Sequence, residues 1–308
     1  PSKMSLRPVG IIDIGSNSIK LLIAEQSAIG TITSILFEVE ETRIGEGMTG
    51  TPPHIDANAI AEGTQAIARL HDLARTHDLY SLRIVATSAV RDAINRDVFI
   101  ESVRRATGFQ IEVLSGDQEA RMIGKGLRCD PELAHLSNYS LLDLGGGSME
   151  CILFKNGVIS SSNSLDLGAV RLASKFIFDR YRALAASEAE SIRSHVQESF
   201  TTASIVANAS PSSVAVLTGG TASILATRHP DSQNRISSQQ LHTFRQKVCS
   251  YSEPGRVSQM NVPESRADIF PAATTILCAA LDHLGCEQLH FSRYNLRYGL
   301  AAEMLEGQ

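Results

Sequence analysis

Two short runs end an apolar stretch in a carboxylate and follow it at once with a glycine- and serine-rich reversal. The first is Ile11-Ile12-Asp13-Ile14-Gly15-Ser16-Asn17-Ser18, and the second is Leu141-Leu142-Asp143-Leu144-Gly145-Gly146-Gly147-Ser148. Glycine lets the backbone approach a ligand closely and take positive φ, and successive N–H groups around such a turn cup an anion. Ser16, Asn17, Ser18 and Ser148 add hydroxyl and amide donors, so together with Gly145, Gly146 and Gly147 they are candidate phosphate-binding residues. Two such turns facing one another would hold a di- or polyphosphate. Asp13 and Asp143 beside them could hold Mg²⁺ through direct or water-mediated oxygen ligands. An Asp–Gly pair is otherwise an ordinary turn, and neither run is a GxxxxGK[ST] phosphate loop.

A third glycine element, Leu217-Thr218-Gly219-Gly220-Thr221-Ala222, leaves an apolar strand and opens a helix. Free N–H groups at a helix start favour phosphate, which makes Gly220 and Thr221 candidates, although a plain strand-to-helix turn has the same sequence character. The nine histidines show no HExxH pair, and Ser16 and Ser148 have no evident histidine partner, so direct attack by water is simpler than a serine nucleophile.

These residues need elements to position them. Val9–Ile14, Ile19–Ala24 and Ile32–Glu40 read as an antiparallel meander, followed by a helix over 56–79, a strand at 82–86, a helix from Asn95 to Gly108 and a strand at 111–114. Ser115-Gly116 then leads into a helix carrying Glu119 and Arg121. The pattern restarts with strands at 139–144, 149–155 and 158–164, the last two joined by the Asn156-Gly157 hairpin signal. Helices are expected at 169–181, 187–208, 238–251, 263–284 and 296–306, with short strands at 214–217 and 288–291. The two Asp–Gly runs superpose at an offset of 130 residues. That implies two α/β domains of like topology, 1–128 and 129–308, unless two unrelated hairpins share a strand composition.

Composition agrees. The chain has 308 residues, 43% of them hydrophobic and 20% charged, which is enough to bury real cores. Net charge is −5 and no block is strongly basic, so duplex nucleic acid is excluded as a main partner. Five scattered cysteines without a CxxC pair fit a reducing cytoplasm rather than a disulfide scaffold or zinc ribbon. The apolar stretch over 269–281 is too short to span a bilayer and no signal peptide opens the chain, so no membrane role is expected. Residues 1–3, ahead of Met4, read as an appended tail.

Seven ordered segments resemble the exopolyphosphatase / guanosine pentaphosphate phosphohydrolase family. They are Ile12–Ser18, Thr87-Ser88-Ala89-Val90-Arg91, Leu114-Ser115-Gly116-Asp117-Gln118-Glu119-Ala120-Arg121, Asp143–Glu150, Leu167-Gly168-Ala169-Val170-Arg171-Leu172, Gly219–Ala222 and Arg266-Ala267-Asp268. The resemblance covers nearly the whole chain. It implies two actin-like ATPase (ribonuclease H-like) α/β domains with the active site in the cleft between them. It also implies Mg²⁺ as cofactor and polyphosphate or guanosine penta- or tetraphosphate as substrate.

The resemblance gives Glu119 the role of catalytic base, positioning a water and taking its proton. Without it, Glu119 reads as an acid favouring a helix dipole. Asp143 would bind Mg²⁺ or orient the water, with Asp13 as its counterpart and Glu150 supporting the metal, or else lying on a strand surface. Arg91 would clamp phosphate, the alternative being a salt bridge to Asp92 or Asp97. Lys20 and Arg43 add positive potential or are exposed strand charges.

There are departures from the family pattern. A C-terminal LREG-like segment reads Leu296-Arg297-Tyr298-Gly299, the Gly-rich stretch after Arg266-Ala267-Asp268 reads Phe270-Pro271-Ala272-Ala273, and the extra C-terminal helical domains of long members are absent. The leading expectation is therefore an exopolyphosphatase favouring short chains. Guanosine pentaphosphate 5′-phosphohydrolase is the alternative, with a kinase-like phosphoryl transferase and a non-catalytic polyphosphate or nucleotide sensor as further readings. A longer grip on the polymer would need a homodimer.

Overall fold

A computed structural model describes residues 7–48, 50–206, 213–228 and 234–308. The chain forms two compact units, 1–134 together with 294–308, and 135–293.

The first unit begins with β1 (Val9–Ile14), β2 (Ile19–Gln26) and β3 (Ile32–Glu40). It continues through α1 (Ala57–Ala74), β4 (Ser81–Ala86), α2 (Ser88–Asp92), α3 (Arg96–Thr107), β5 (Glu112–Val113) and α4 (Gly116–Leu127). Its sheet has the order β3-β2-β1-β4-β5. The β1–β3 meander is antiparallel, and β4 and β5 add in parallel. β1 is buried at every position, which is why it reads as an unbroken apolar run rather than an alternating one. Ser115 accepts from the Gln118 N–H while the Gln118 side chain accepts from the Ser115 N–H, a capping box that fixes the start of α4.

The second unit repeats the opening with β6 (Tyr139–Leu144), β7 (Met149–Lys155) and β8 (Val158–Leu165). Asn156 and Gly157 turn the β7–β8 hairpin with φ of 53° and 75°, the left-handed pair of a type I′ turn. Then come α5 (Ala169–Phe176), α6 (Ala186–Thr202), β9 (Val214–Thr218), α7 (Gly219–Arg228) and β10 (Arg235–Ser237). α8 (Ser238–Ser250), α9 (Glu253–Met260), α10 (Glu264–Ala267), α11 (Phe270–Leu284) and β11 (Gln288–Phe291) complete it. The sheet order is β10-β11-β9-β6-β7-β8. Every residue of α11 from Phe270 to Leu281 is buried, so the most apolar stretch of the chain is the central helix of a core. Among the described residues, no helix is long and apolar enough to cross a membrane.

The last helix, α12 (Leu296–Glu306), returns to the first unit, whereas the sequence reading assigned all of 129–308 to the second. The cause is a glycine contact. A Cβ on Gly299 would lie 1.8 Å from the Met122 carbonyl oxygen, and one on Gly126 would lie 2.0 Å from that of Asn295, so only two glycines let α12 lie this close to α4. Other differences are local. The expected helices at 56–79 and 169–181 stop at Ala74 and Phe176. The one at 187–208 stops at Thr202, and its expected end lies outside the described residues. The helix expected over 263–284 divides into α10 and α11.

Candidate active site

In the first unit the candidate residues sit at the C-terminal ends of adjacent parallel strands, where ligands bind in open α/β sheets. The Thr87 N–H donates to the Ile14 oxygen at 3.2 Å and the Leu114 N–H to the Ala86 oxygen at 2.9 Å, which levels the three strand ends. The Gly15–Ser18 turn closes through a Gly15 N–H to Ser18 O bond of 3.1 Å. Its outer carbonyls, Ser16 O and Asn17 O, accept from Gly45 and Arg43, each at 2.9 Å. Ser16, Asn17 and Ser18 are buried. Ser16 Oγ bonds Ser88 Oγ at 3.0 Å, and Asn17 Nδ2 donates to Glu41 Oε2 at 2.7 Å while Asn17 Oδ1 has no hydrogen-bond partner.

Glu119 lies in the first turn of α4, only 6% exposed. Arg91 Nη1 donates to its Oε2 at 2.9 Å and to the Leu114 oxygen at 3.0 Å. Arg91 Nε stands 3.8 Å from Asp92. Thus the guanidinium expected to clamp phosphate is a partner of the candidate base. Asp13 is buried at the end of β1, and Arg297 Nη1 on α12 donates to its Oδ2 at 2.6 Å. Lys20 stands directly opposite Asp13 across β1–β2. Arg43 ion-pairs with Glu46 at 3.5 Å.

The second unit builds a matching corner. The Gly145 N–H bonds the Ser148 oxygen at 3.0 Å, as in the first turn. The outward carbonyls of Gly145 and Gly146 accept from the first amides of α5, and Arg171 Nε donates to the Gly147 oxygen at 2.6 Å. A Cβ on Gly168 would sit 2.2 Å from the Gly146 oxygen, so Gly168 is required for this seating. With its carbonyls taken up behind it, the turn is pinned from one side. Asp143 has Glu150 opposite on β7 and Thr218 beside it on β9. Glu150 is buried, and its Oε1 accepts from Ser148 Oγ at 2.9 Å and Ser164 Oγ at 2.8 Å. Thr218 Oγ1 is buried without a hydrogen-bond partner.

Gly219 has φ +91°, and a Cβ there would lie 2.6 Å from Asp143 Oδ1. A Cβ on Gly220 would meet Arg266 Nη1 at 2.4 Å, so this guanidinium rests on the start of α7, close to the candidate Thr221, which is itself buried in the first turn. Arg171, Arg266 and Arg297 all fall in segments named from the sequence but carry no role there, because a lone arginine gives no local signal of the distant group it will meet.

Among the described residues, no three His, Cys, Asp or Glu side chains are grouped to hold a metal ion. Mg²⁺ bound to phosphates needs only one or two carboxylates, the rest of its octahedron being substrate oxygens and water. The Asp143–Glu150 pair fits that requirement, while Asp13 is paired with Arg297. A thiol nucleophile is ruled out at Cys151 and Cys278, where burial pushes the thiol up to about 12.

The family model described as the Ppx/GppA phosphatase family matches residues 22–308. Exopolyphosphatase 2 of Mycobacterium tuberculosis is 35% identical over 180 residues, 56% of this chain and 56% of that protein, so the match spans little more than half of each. An exopolyphosphatase from Cytophaga hutchinsonii superposes with a TM-score of 0.83 over 98% of both chains at 21% identity. The Aquifex aeolicus Ppx/GppA family member superposes at 0.78 over 98% and 99% of the two chains, at 24% identity. These structures share the two-unit α/β fold. On the match of its sequence from residue 22 to its end, the chain belongs to the Ppx/GppA phosphatase family.

Proposed function

We propose that the protein is an Mg²⁺-dependent exopolyphosphatase that removes the terminal phosphate of inorganic polyphosphate and favours short chains. The observation that carries this reading is the buried Glu119 carboxylate, held by Arg91 at the start of α4. A carboxylate held by a guanidinium and aimed by a capped helix end can orient a water and take its proton, help typically worth about 10²–10⁴-fold. As the water oxygen bonds to the terminal phosphorus, the bond from that phosphorus to the bridging oxygen breaks. The shortened chain leaves with the electron pair, and the proton goes to Glu119. Orthophosphate is the other product.

Arg171, Arg266 and the N–H groups of the Gly145–Ser148 and Gly219–Thr221 turns supply the cations and donors that phosphoryl oxygens need. Asp143, backed by Glu150, would hold Mg²⁺, which offsets charge on those oxygens. The five free cysteines support a cytoplasmic location. Phosphate release from triphosphate, long polyphosphate and guanosine pentaphosphate, with and without Mg²⁺, tests the reading. Faster release from the nucleotide would assign the chain to the guanosine pentaphosphate branch, and no release from any of the three would leave a binding protein.

A further inference from the structure

The bulkiest fully buried side chain among the described residues is a cation. Arg256 lies on α9 and is 1% exposed. Burial pushes its guanidinium below the ordinary arginine value, and a charge taken out of water is costly unless its donors are met. They are met by main-chain carbonyls. Nε donates to the Val248 oxygen at 3.1 Å, Nη1 to the Arg180 and Ala267 oxygens at 3.1 Å each, and Nη2 to the Arg182 oxygen at 2.8 Å. Val248 lies in the last turn of α8 and Ala267 ends α10, where carbonyls lack partners within their own helix. One rigid planar fork thus joins three separate stretches of chain: α8, α10 and residues 180–182.

What the fork holds stands next to the candidate anion corner. Ala267 is flanked by Arg266, whose Nη1 would lie 2.4 Å from a Cβ on Gly220, and by Asp268. Arg180, whose carbonyl Arg256 holds, returns to the same place, because its Nη1 donates to Asp268 Oδ2 at 3.2 Å. The end of α10 is therefore braced twice, through the Ala267 carbonyl and through the Asp268 carboxylate. We propose that Arg256 is a positioning residue that fixes the end of α10 so that the Arg266 guanidinium stays on the start of α7. Buried as it is, Arg256 acts on a bound anion only through Arg266. The proposal rests on the phosphate-binding reading above for the nature of the ligand, whereas the placement of Arg266 is a property of the chain alone. Lysine would keep the charge, but a single ammonium nitrogen cannot reproduce the fork that spans these carbonyls.

Inorganic triphosphate is the probe, its binding to the intact chain followed by calorimetry without metal. Arg266→Met should weaken binding about tenfold, and Arg256→Lys should weaken it by about fivefold or more. The Arg256→Lys, Arg266→Met double variant should bind within about twofold of Arg266→Met alone, since a residue acting through Arg266 has nothing left to act on. A general packing defect would instead add its loss to that of Arg266→Met. If Arg256→Lys does not fold, Asp268→Asn loosens the same helix end and carries the same expectations. Triphosphate binding of wild-type strength in Arg256→Lys, or additive losses in the double variant, would overturn the proposal. Triphosphate that binds as expected but is not hydrolysed would sink the polyphosphatase reading and leave this proposal standing. If the wild-type chain binds no triphosphate, the position of Arg266 decides. A crystal structure of Arg256→Lys should show its guanidinium drawn away from Gly220, and one that keeps it there would overturn the proposal.

Discussion

Arg91 Nη1 holds Glu119 Oε2 at 2.9 Å while the same nitrogen reaches the Leu114 carbonyl at 3.0 Å. The two bonds lock one carboxylate oxygen against the end of the central sheet and leave the orientation of the candidate base to a guanidinium. Removing the base and removing its holder should then have related consequences. Glu119→Gln keeps the shape and loses the proton acceptor, so kcat should fall at least about 10²-fold with little change in KM. Arg91→Met should also fall mainly in kcat, because it releases the carboxylate. Arg91→Lys should recover only part of the loss, since a flexible ammonium lacks the rigid planar fork that fixes the carboxylate's orientation. Near-normal turnover of Glu119→Gln would remove this residue from the mechanism.

The corner around Asp143 makes a different prediction. Gly219 is left-handed at φ +91°, and any side chain there would press on Asp143 Oδ1 from 2.6 Å. Gly219→Ala thus combines backbone strain with a steric clash, and a loss of about 1–3 kcal/mol in stability is expected. The Mg²⁺ concentration for half-maximal activity should rise as well, because the carboxylate is displaced. Chemical denaturation and a Mg²⁺ titration read the two effects separately. A variant that keeps both at wild-type values would show that Asp143 does not depend on this close approach.

Much of this was legible in the sequence because it is carried by local patterns. The Asp–Gly runs, the Asn156-Gly157 hairpin and the helix start at Ser115-Gly116 are short-range signals, and each forms its element in the structure. What escaped was set by distant contacts. Nothing near Arg297 announces that it meets Asp13, 284 residues away. Nothing near Gly299 announces that α12 leaves the second unit to lie on Gly126. Arg91 was weighed against Asp92 and Asp97, its neighbours in sequence, yet its short ion pair is with Glu119 on another helix. The Asp13, Asp143 and Glu150 set rested on the repeat and the family resemblance, whereas the partners around each residue come from strand register and distant contacts.

Stability should depend on pH through buried imidazoles. Burial holds both His71 and His290 below the ordinary histidine value, with nearby Arg235 and His135 adding to the effect at His290. A depressed histidine binds fewer protons folded than unfolded, so folding loses ground as pH falls below the ordinary value near about 6.5 and gains nothing further above it. The melting temperature should be level from about pH 8 to 7 and drop between about pH 6.5 and 5.5, above the carboxylate range. His290→Gln should flatten part of that drop. A melting temperature that rises on acidification through this window would reverse the sign assigned to both residues.

The hold on the substrate should be local and cationic. With a net charge of −5 the chain has no wide basic field, so phosphates must be met by particular groups. Arg266 lies against Gly220 at the start of α7, and Arg171 is anchored to the Gly147 carbonyl. Each guanidinium is placed by backbone that also presents N–H donors. Arg266→Met should therefore raise KM for triphosphate by about tenfold or more, the order of one lost charge-assisted contact of about 1.5–3 kcal/mol. The effect on kcat should be smaller. Since each cation lost removes one screened contact, KM should also climb less steeply with salt in the variant than in the wild type. Kinetics at two salt concentrations, over a series of chain lengths, separates this from a folding defect, which would lower activity equally at every length. A KM for long polymers that falls far below that for triphosphate in both proteins would mean that cations beyond this corner grip the chain, and the preference for short substrates would not stand.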